Sequence, residues 1–137
     1  LLYSKVFPVF YKVNQKPGKP LWFGKKGKRC VFALPGNPAS GLTCFYMYVL
    51  PLLKKLMGHE KIHLSQQTAK ASQAINNTTG KHLFLKGIVE NGEAKVLGGQ
   101  ASSMLNSYTV SNALICIPSD VETVKKGSKV TYMQLDF

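Results

Sequence analysis

The first 59 residues of this chain contain neither aspartate nor glutamate, although they hold ten lysines and arginines. The remaining 78 residues carry eight basic and six acidic side chains, so +10 of the formal net charge of +12 belongs to the first part. A surface with charge of one sign faces either an anionic ligand or an acidic partner surface. The composition therefore predicts that the first part of the chain binds something anionic or has been separated from an acidic surface that balanced its charge.

Long apolar runs are also absent. The longest strongly apolar stretch, Phe45–Leu53, contains two tyrosines and a proline, and it is about half as long as the ~20 residues that a membrane-spanning helix needs. No secretory signal or transit peptide is recognisable. We therefore expect a cytoplasmic protein without a membrane segment.

Cysteine is scarce, and its spacing argues against two kinds of site. Cys30, Cys44 and Cys116 are odd in number, widely separated and set among apolar neighbours. Disulfide frameworks need dense, even-numbered cysteines, and zinc sites usually need a C-x-x-C spacing. We expect three reduced thiols in the core. His59 and His63 have the spacing of a helical metal site, but no third ligand is near them in sequence, so no metal site is predicted.

Apolar runs and turn residues predict the elements of the first half. We expect a strand over Val6–Val13 that is irregular near Pro8, a type II turn within residues 16–20, a short strand over Leu21–Gly24, a basic loop over Lys25–Arg29 and a buried central strand over Cys30–Leu34.

A helix is predicted next. Asn37 is a good N-cap and Pro38 suits the first helical position, and apolar residues then recur at three- and four-residue spacing. Pro51 predicts a kink near Met47, and Gly58 predicts the end of the helix.

The second half has the pattern of a small, mostly β domain. Strands are predicted on both sides of Asn91-Gly92, a strong hairpin signal, and further strands over Asn112–Ile117 and Lys129–Leu135. A short helical turn is predicted within Ser102–Val110.

The turn at residues 35–38, between strand and helix, has two interpretations. It could be a tight connection with a good helix cap, which is the more common use of these residues. Alternatively, the helix N-terminus could bind an anion, with Gly36 allowing close approach and with Lys16 and Lys19 on a proline-stiffened turn nearby. The pattern alone favours the tight connection.

Two stretches together resemble a known family. The sequence KPGKP at residues 16–20, followed by FALPGNPAS at residues 32–40, is similar to the KPGKP…LPGNPxS motifs of molybdopterin molybdenumtransferases, the MoeA family, which includes the E domain of gephyrin. FLKG at 84–87, GQASS at 99–103 and ALI at 113–115 resemble the C-terminal domain of that family.

The resemblance implies a fold and a reaction. Residues 1–60 would be the C-terminal end of a molybdopterin-binding three-layer α/β domain, and residues 61–137 a small β-barrel-like domain. Family members insert molybdate into adenylylated molybdopterin and release AMP, with a divalent cation such as Mg²⁺. They are homodimers with the active site between subunits, and the adenylyltransferase of the same pathway is a candidate partner.

The resemblance also implies a set of substrate- and anion-binding residues. These would be Lys16, Lys19, Gly36, Asn37, Pro38, Ser40, Lys86, Gln100 and Ser102. Lys86 stands where relatives often carry arginine, so it keeps the charge but loses the bidentate fork. Ala101 replaces a frequent glycine.

Parts of the family's site have no counterpart in this sequence. Relatives carry a glycine- and serine-rich phosphate loop and acidic residues for nucleotide and metal, and neither precedes Lys5. We therefore expect the C-terminal part of a longer protein that is inactive alone, with catalytic residues and Mg²⁺ ligands outside this chain.

Two other classes of function are alternatives to an enzyme of this family. Lysines interleaved with Tyr11, Trp22, Phe23 and Tyr46 could contact phosphates and stack on bases, as in a nucleic-acid-binding or other anion-binding module. No known nucleic-acid motif is present, and most of these aromatics alternate with core residues. A scaffold role is the third class, but the sequence identifies no docking residues for it.

Overall fold

The computed structural model describes residues 5–101 and 105–135. Its strands are β1 Phe7–Tyr11, β2 Gln15–Lys16, β3 Trp22–Lys26, β4 Arg29–Ala33, β5 Gln66–Ala71, β6 Ile75–Asn76, β7 His82–Glu90, β8 Glu93–Val96, β9 Ala113–Ile117, β10 Thr123–Val124 and β11 Lys129–Gln134. Its helices are α1 Pro38–Cys44, a π-helical segment Phe45–Val49, α2 Leu50–Leu56 and α3 Asn106–Val110.

Five strands close into a barrel, which confirms the predicted β-barrel-like domain. The order is β7-β8-β5-β11-β9, and β9 pairs back to β7. Small and branched side chains such as Ala94, Ala113 and Ile115 fill the interior. At Gly87 an added Cβ would lie 2.5 Å from Ile115 Cδ1 and 2.8 Å from the Lys95 carbonyl oxygen, so the barrel closes tightly at this glycine.

The hairpin between β7 and β8 forms as predicted. Asn91 and Gly92 have φ values of 51° and 77°, which are the two positive angles of a type I′ turn. The predicted helical turn is present as α3, while residues 102–104 lie outside the described part of the chain. The short strands β2, β6 and β10 and the six-residue barrel strand β5 were not predicted.

The first part of the chain contains a three-stranded antiparallel sheet in the order β1-β3-β4. The predicted basic loop over Lys25–Arg29 is wrong, because Lys26 pairs with Arg29 and only two residues form the turn. The predicted buried central strand is also wrong: β4 pairs with β3 alone among the described strands, and its first two residues are exposed. Phe32 packs against Phe23, with ring centroids 4.7 Å apart. The apolar run therefore predicted the strand correctly, but it did not predict how many strands pair with it.

The helical stretch begins and ends as predicted. Pro38 is the first residue of α1. At the other end Gly58 has a φ of +82°, and the His59 N–H donates to the Lys54 carbonyl at 3.0 Å, which is a Schellman end. Pro51 has no N–H to donate to the Met47 carbonyl, and the π-helical segment lies at this point.

One side of the helical stretch packs on the outside of the barrel. Ala39, Leu42 and Met47 meet Leu114 and Leu135 there, in a cluster separate from the barrel interior. Further along, Leu53 and Leu56 are 43% and 73% exposed. No helix in the described residues is long and apolar enough to cross a membrane.

The thiols differ in exposure, so the expectation of three core cysteines holds for two of them. Cys44 and Cys116 are buried, and Cys30 on β4 is exposed. Burial raises the pKa of the Cys44 thiol to about 11 and that of Cys116 to about 12.

We therefore predict that iodoacetamide at pH 8 modifies the folded chain once, at Cys30. A thiol with a pKa near 11 is only about one part in a thousand thiolate at this pH, and thiolate is the reactive form. Peptide mapping by mass spectrometry checks the site, and unfolding in urea should expose all three thiols. Modification of Cys44 at the rate of Cys30 in the folded chain would contradict the burial described here.

Candidate anion-binding site

A cavity of about 410 Å³ lies where residues 16–20, here called the lysine turn, meet the start of α1 and two loops of the barrel. Its charged lining residues are Lys16, Lys19 and Lys81, and no acidic residue of the described chain lines it. The remaining lining side chains are neutral. The cavity therefore has the electrostatic character of an anion site.

The cavity brings together most of the residues that the sequence predicted. Five of them line it, namely Lys16, Lys19, Asn37, Ser40 and Gln100. Gly36 and Pro38 belong to the same turn but do not line the cavity. Ser102 lies outside the described residues. The binding roles of all these residues stay predictions.

The lysine turn has an unusual backbone. Gly18 has the predicted positive φ, +98°, and the preceding Lys16–Pro17 peptide bond is cis. The Leu21 N–H donates to the Gly18 carbonyl at 3.3 Å, so the hydrogen-bonded turn lies two residues later than predicted. An added Cβ at Gly18 would lie 2.5 Å from Cys44 Sγ and 2.7 Å from Gln15 Nε2. Only glycine fits between the turn and the helix.

A buried polar network fixes this turn against the helix. Gln15 is 3% exposed, and its Nε2 donates to the Pro17 carbonyl at 3.0 Å. Its Oε1 accepts a hydrogen bond from the Tyr48 hydroxyl. The Cys44 thiol donates to the Gly18 carbonyl at 3.6 Å. Burial, and secondarily the neighbouring Cys44, raises the pKa of Tyr48, so the network beneath the lysines is uncharged at neutral pH.

The start of α1 forms a second wall. Asn37 is the N-cap residue, and its carbonyl accepts the Gly41 N–H at 2.9 Å. Its side chain makes no capping hydrogen bond to the helix, and it lines the cavity instead. Ser40, 4% exposed, also lines it. This wall offers neutral hydrogen-bond donors beside the lysines.

The barrel supplies the third wall, including two residues that sequence reasoning missed. Strand β2 pairs in parallel with the start of β7, with Gln15 opposite His82 and Lys16 opposite Leu83. This pairing places Thr79 and Lys81 at the cavity. A glycine turn followed by lysine was visible in the sequence, but nothing local showed that it would meet the lysine turn.

Lys86 is not among the residues that line the cavity. Its Nζ donates to the Gly99 carbonyl at 2.9 Å and lies 5.5 Å from the centre of the Tyr108 ring. The Gln100 amide accepts from the Lys86 N–H at 2.9 Å and donates to the Lys86 carbonyl at 2.8 Å. Burial lowers the pKa of Lys86. In this structure Lys86 holds the loop that carries Gln100, and its predicted role in binding an anion stays a prediction.

The described residues do not fit Mg²⁺. They include no group of three or more histidine, cysteine, aspartate or glutamate side chains that could hold a metal ion. Mg²⁺ is usually held through one or two carboxylates, whereas the charged groups of this cavity are ammonium ions. No step is assigned to a divalent cation here.

Comparison with known proteins identifies the fold. Residues 68–135, which include all five barrel strands except the first two residues of β5, match the model of the MoeA C-terminal region (domain IV). The chain belongs to the MoeA family. A solved moeA protein from Pyrococcus horikoshii superposes with a TM-score of 0.81 at 31% identity, covering 97% of this chain and 33% of that one. Because the superposition covers almost the whole of this chain, it confirms the predicted fold class.

Relatives found by sequence similarity have names that agree with this family. A molybdopterin molybdenumtransferase from Haemophilus influenzae is 34% identical over 128 residues, covering 89% of this chain and 32% of the relative. Molybdopterin molybdenumtransferase 2 from Mycobacterium tuberculosis is 30% identical over 92% of this chain and 32% of its own length. The molybdenum cofactor synthesis protein cinnamon from Drosophila melanogaster is 31% identical over 92% of this chain and 23% of its own. This chain thus spans a third or less of the length of each of these relatives.

Proposed function

We propose that this chain supplies part of the substrate site of a molybdopterin molybdenumtransferase, which inserts molybdate into adenylylated molybdopterin and releases AMP. The observation that carries the proposal is the convergence of Lys16 and Lys19 with Asn37 and Ser40 around one cavity. The two motifs that resemble the family are separate in sequence, and here they share one site.

The chemistry of the cavity suits these substrates. Molybdate and the phosphates of an adenylylated pterin are oxyanions, and an ammonium group gives each a charge-assisted hydrogen bond. Lys16 and Lys19 would bind and neutralise the anion, while the Asn37 amide and the Ser40 hydroxyl orient it. The start of α1 adds favourable potential for negative charge.

The same cavity limits what this chain does by itself. Its described lining holds no carboxylate, histidine or thiol that could transfer a proton. We therefore propose that the chain binds and orients substrate, and that other parts of a cytoplasmic homodimer supply the catalytic groups and the Mg²⁺ ligands. Gln100 would belong to the barrel wall of the site and Lys86 would hold its loop, and Ser102 is proposed as a further substrate-binding residue.

The proposal is tested by titrating adenylylated molybdopterin into the 137-residue chain by calorimetry. Lys16→Met keeps the length of the side chain and removes its charge, and we expect it to weaken binding about tenfold, since a hydrogen bond to a charged group contributes about 1.5 kcal/mol. The matched control is Lys126→Met, at an exposed turn of the barrel. It removes the same charge and should change the affinity less than twofold.

A different outcome would favour nucleic-acid binding. In that case a single-stranded oligonucleotide would bind more tightly than the pterin compound, and its affinity would fall steeply with salt. The Lys16 and Lys126 variants would then lose affinity to similar extents. Such a result would overturn the enzyme proposal.

A further inference from the structure

Lys81 is the third cation of the cavity, and it comes from the barrel rather than from the lysine turn. It immediately precedes β7 and lines the cavity with Lys16 and Lys19. The pairing of Gln15 with His82 sets the two segments side by side. Three lysines from two distant parts of the sequence therefore line one cavity of about 410 Å³.

Asn14 fixes the chain on both sides of Lys81. Its backbone carbonyl accepts the His82 N–H at 3.0 Å. Its side-chain Nδ2 donates to the Gly80 carbonyl at 3.1 Å. Because Asn14 lies two residues before Lys16, this clamp ties the position of Lys81 to that of the lysine turn.

Asn77 fixes the same segment from inside the barrel domain. This side chain is 2% exposed, and its Nδ2 donates to the Lys81 carbonyl at 2.8 Å. Its Oδ1 accepts from Thr79 Oγ1 at 2.6 Å, and Thr79 Oγ1 in turn accepts the Lys81 N–H at 3.1 Å. Both backbone groups of Lys81 are therefore held by hydrogen bonds, and none of these bonds between described residues of the turn uses its ammonium.

From this geometry we infer that Lys81 is a binding residue of the cavity, and that with Lys16 and Lys19 it selects doubly charged tetrahedral oxyanions over singly charged ones. The inference rests on the proposed function and adds to it a residue and a basis of selectivity. The Coulomb energy of a lysine with a bound anion is proportional to the charge of that anion. A lysine that acts through charge must therefore contribute twice the free energy to a dianion that it contributes to a monoanion.

The test compares molybdate with perrhenate, which are tetrahedral oxyanions of similar size with charges of −2 and −1. Calorimetric titration of the 137-residue chain at fixed ionic strength gives both affinities. For Lys81→Met we expect molybdate to bind about tenfold more weakly and perrhenate about threefold more weakly, so that the logarithm of the loss doubles with the charge. Lys81→Arg, which keeps the charge, should stay within about threefold of the wild type for molybdate.

Two further variants make the outcome decisive. Asn14→Ala removes only the side-chain clamp and is expected to weaken molybdate binding by a smaller factor than Lys81→Met. Lys126→Met should leave both affinities unchanged, and thermal unfolding of each variant checks the fold. Equal losses for both anions, or equal effects of the Lys81 and Lys126 variants, would overturn the inference.

The failure of this inference can be told apart from the failure of the proposed function. If Lys81→Met binds like the wild type while Lys16→Met is impaired, the cavity is the site but Lys81 is not part of it. If Lys16→Met also binds molybdate like the wild type, or if the wild type binds neither anion, the cavity is not an oxyanion site. The last two results would overturn both proposals.

Discussion

Gly18→Ala is expected to abolish measurable molybdate binding and to destabilise the chain by about 3 kcal/mol, combining a strained positive φ with overpacking. The new methyl group would lie 2.5 Å from Cys44 Sγ and 2.7 Å from Gln15 Nε2. Relief requires the lysine turn to move away from α1, which separates Lys16 and Lys19 from Asn37 and Ser40. Chemical denaturation measures the loss of stability, and calorimetry measures the loss of binding.

A second glycine separates the two causes of this effect. Gly27 also has a positive φ, +59°, but an added Cβ there meets nothing within 4 Å. Gly27→Ala should therefore cost only about 1 kcal/mol of stability and leave molybdate binding intact. In the double variant Gly18→Ala/Cys44→Ala, removal of the sulfur should restore part of the stability. Wild-type molybdate affinity in Gly18→Ala would show that the lysine turn is not part of the site.

Leu114→Ala is expected to destabilise the chain by about 3 kcal/mol, because a fully buried leucine leaves a cavity when it is truncated. Leu114 is 0% exposed on the outer side of the barrel, where it packs in the cluster with Ala39 and Tyr108. The matched control is Leu56→Ala, which truncates a side chain that is 73% exposed and should cost no more than about 0.5 kcal/mol.

The same experiment shows whether the three-stranded sheet and the barrel unfold together. Trp22, the single tryptophan, lies in the three-stranded sheet rather than in the barrel. Its fluorescence and the far-ultraviolet circular dichroism should report one urea transition, and Leu114→Ala should shift both signals equally. A shift in the dichroism without a shift in the Trp22 signal would show that the three-stranded sheet unfolds separately from the barrel.

Local signals in the sequence predicted the parts of the fold that depend on local chemistry. Asn91-Gly92 and Gly58 were recognisable because their turns require positive φ, and Pro38 because helices accept proline at their first position. Strand β2 and strands β6 and β10 have two residues each, and so short a strand has no periodicity to detect. Their existence depends on partners far away in the sequence.

In the candidate site, too, the residues in local motifs were predicted and those placed by distant pairings were not. The resemblance of two motifs to the MoeA family pointed to Lys16, Lys19, Asn37 and Ser40, which do share the cavity. Lys81 was missed because its place depends on a strand pairing between residues 67 positions apart. The direction of the Lys86 side chain likewise depends on Gly99 and Tyr108, and no spacing in the sequence predicted those contacts.

The parallel pairing of β2 with β7 also determines how the candidate site would respond to proteolytic cleavage of the chain. The segment from Gly58 to His63 connects the helix to the barrel, and the proposed boundary at residues 60 and 61 lies within it. A protease cut there would leave one piece with Lys16 and Lys19 and the other with Lys81. Because β2 pairs with β7 through backbone hydrogen bonds, we expect the two pieces to reassociate through that pairing. Oxyanion binding would then report on their complementation, since neither piece carries the whole cavity.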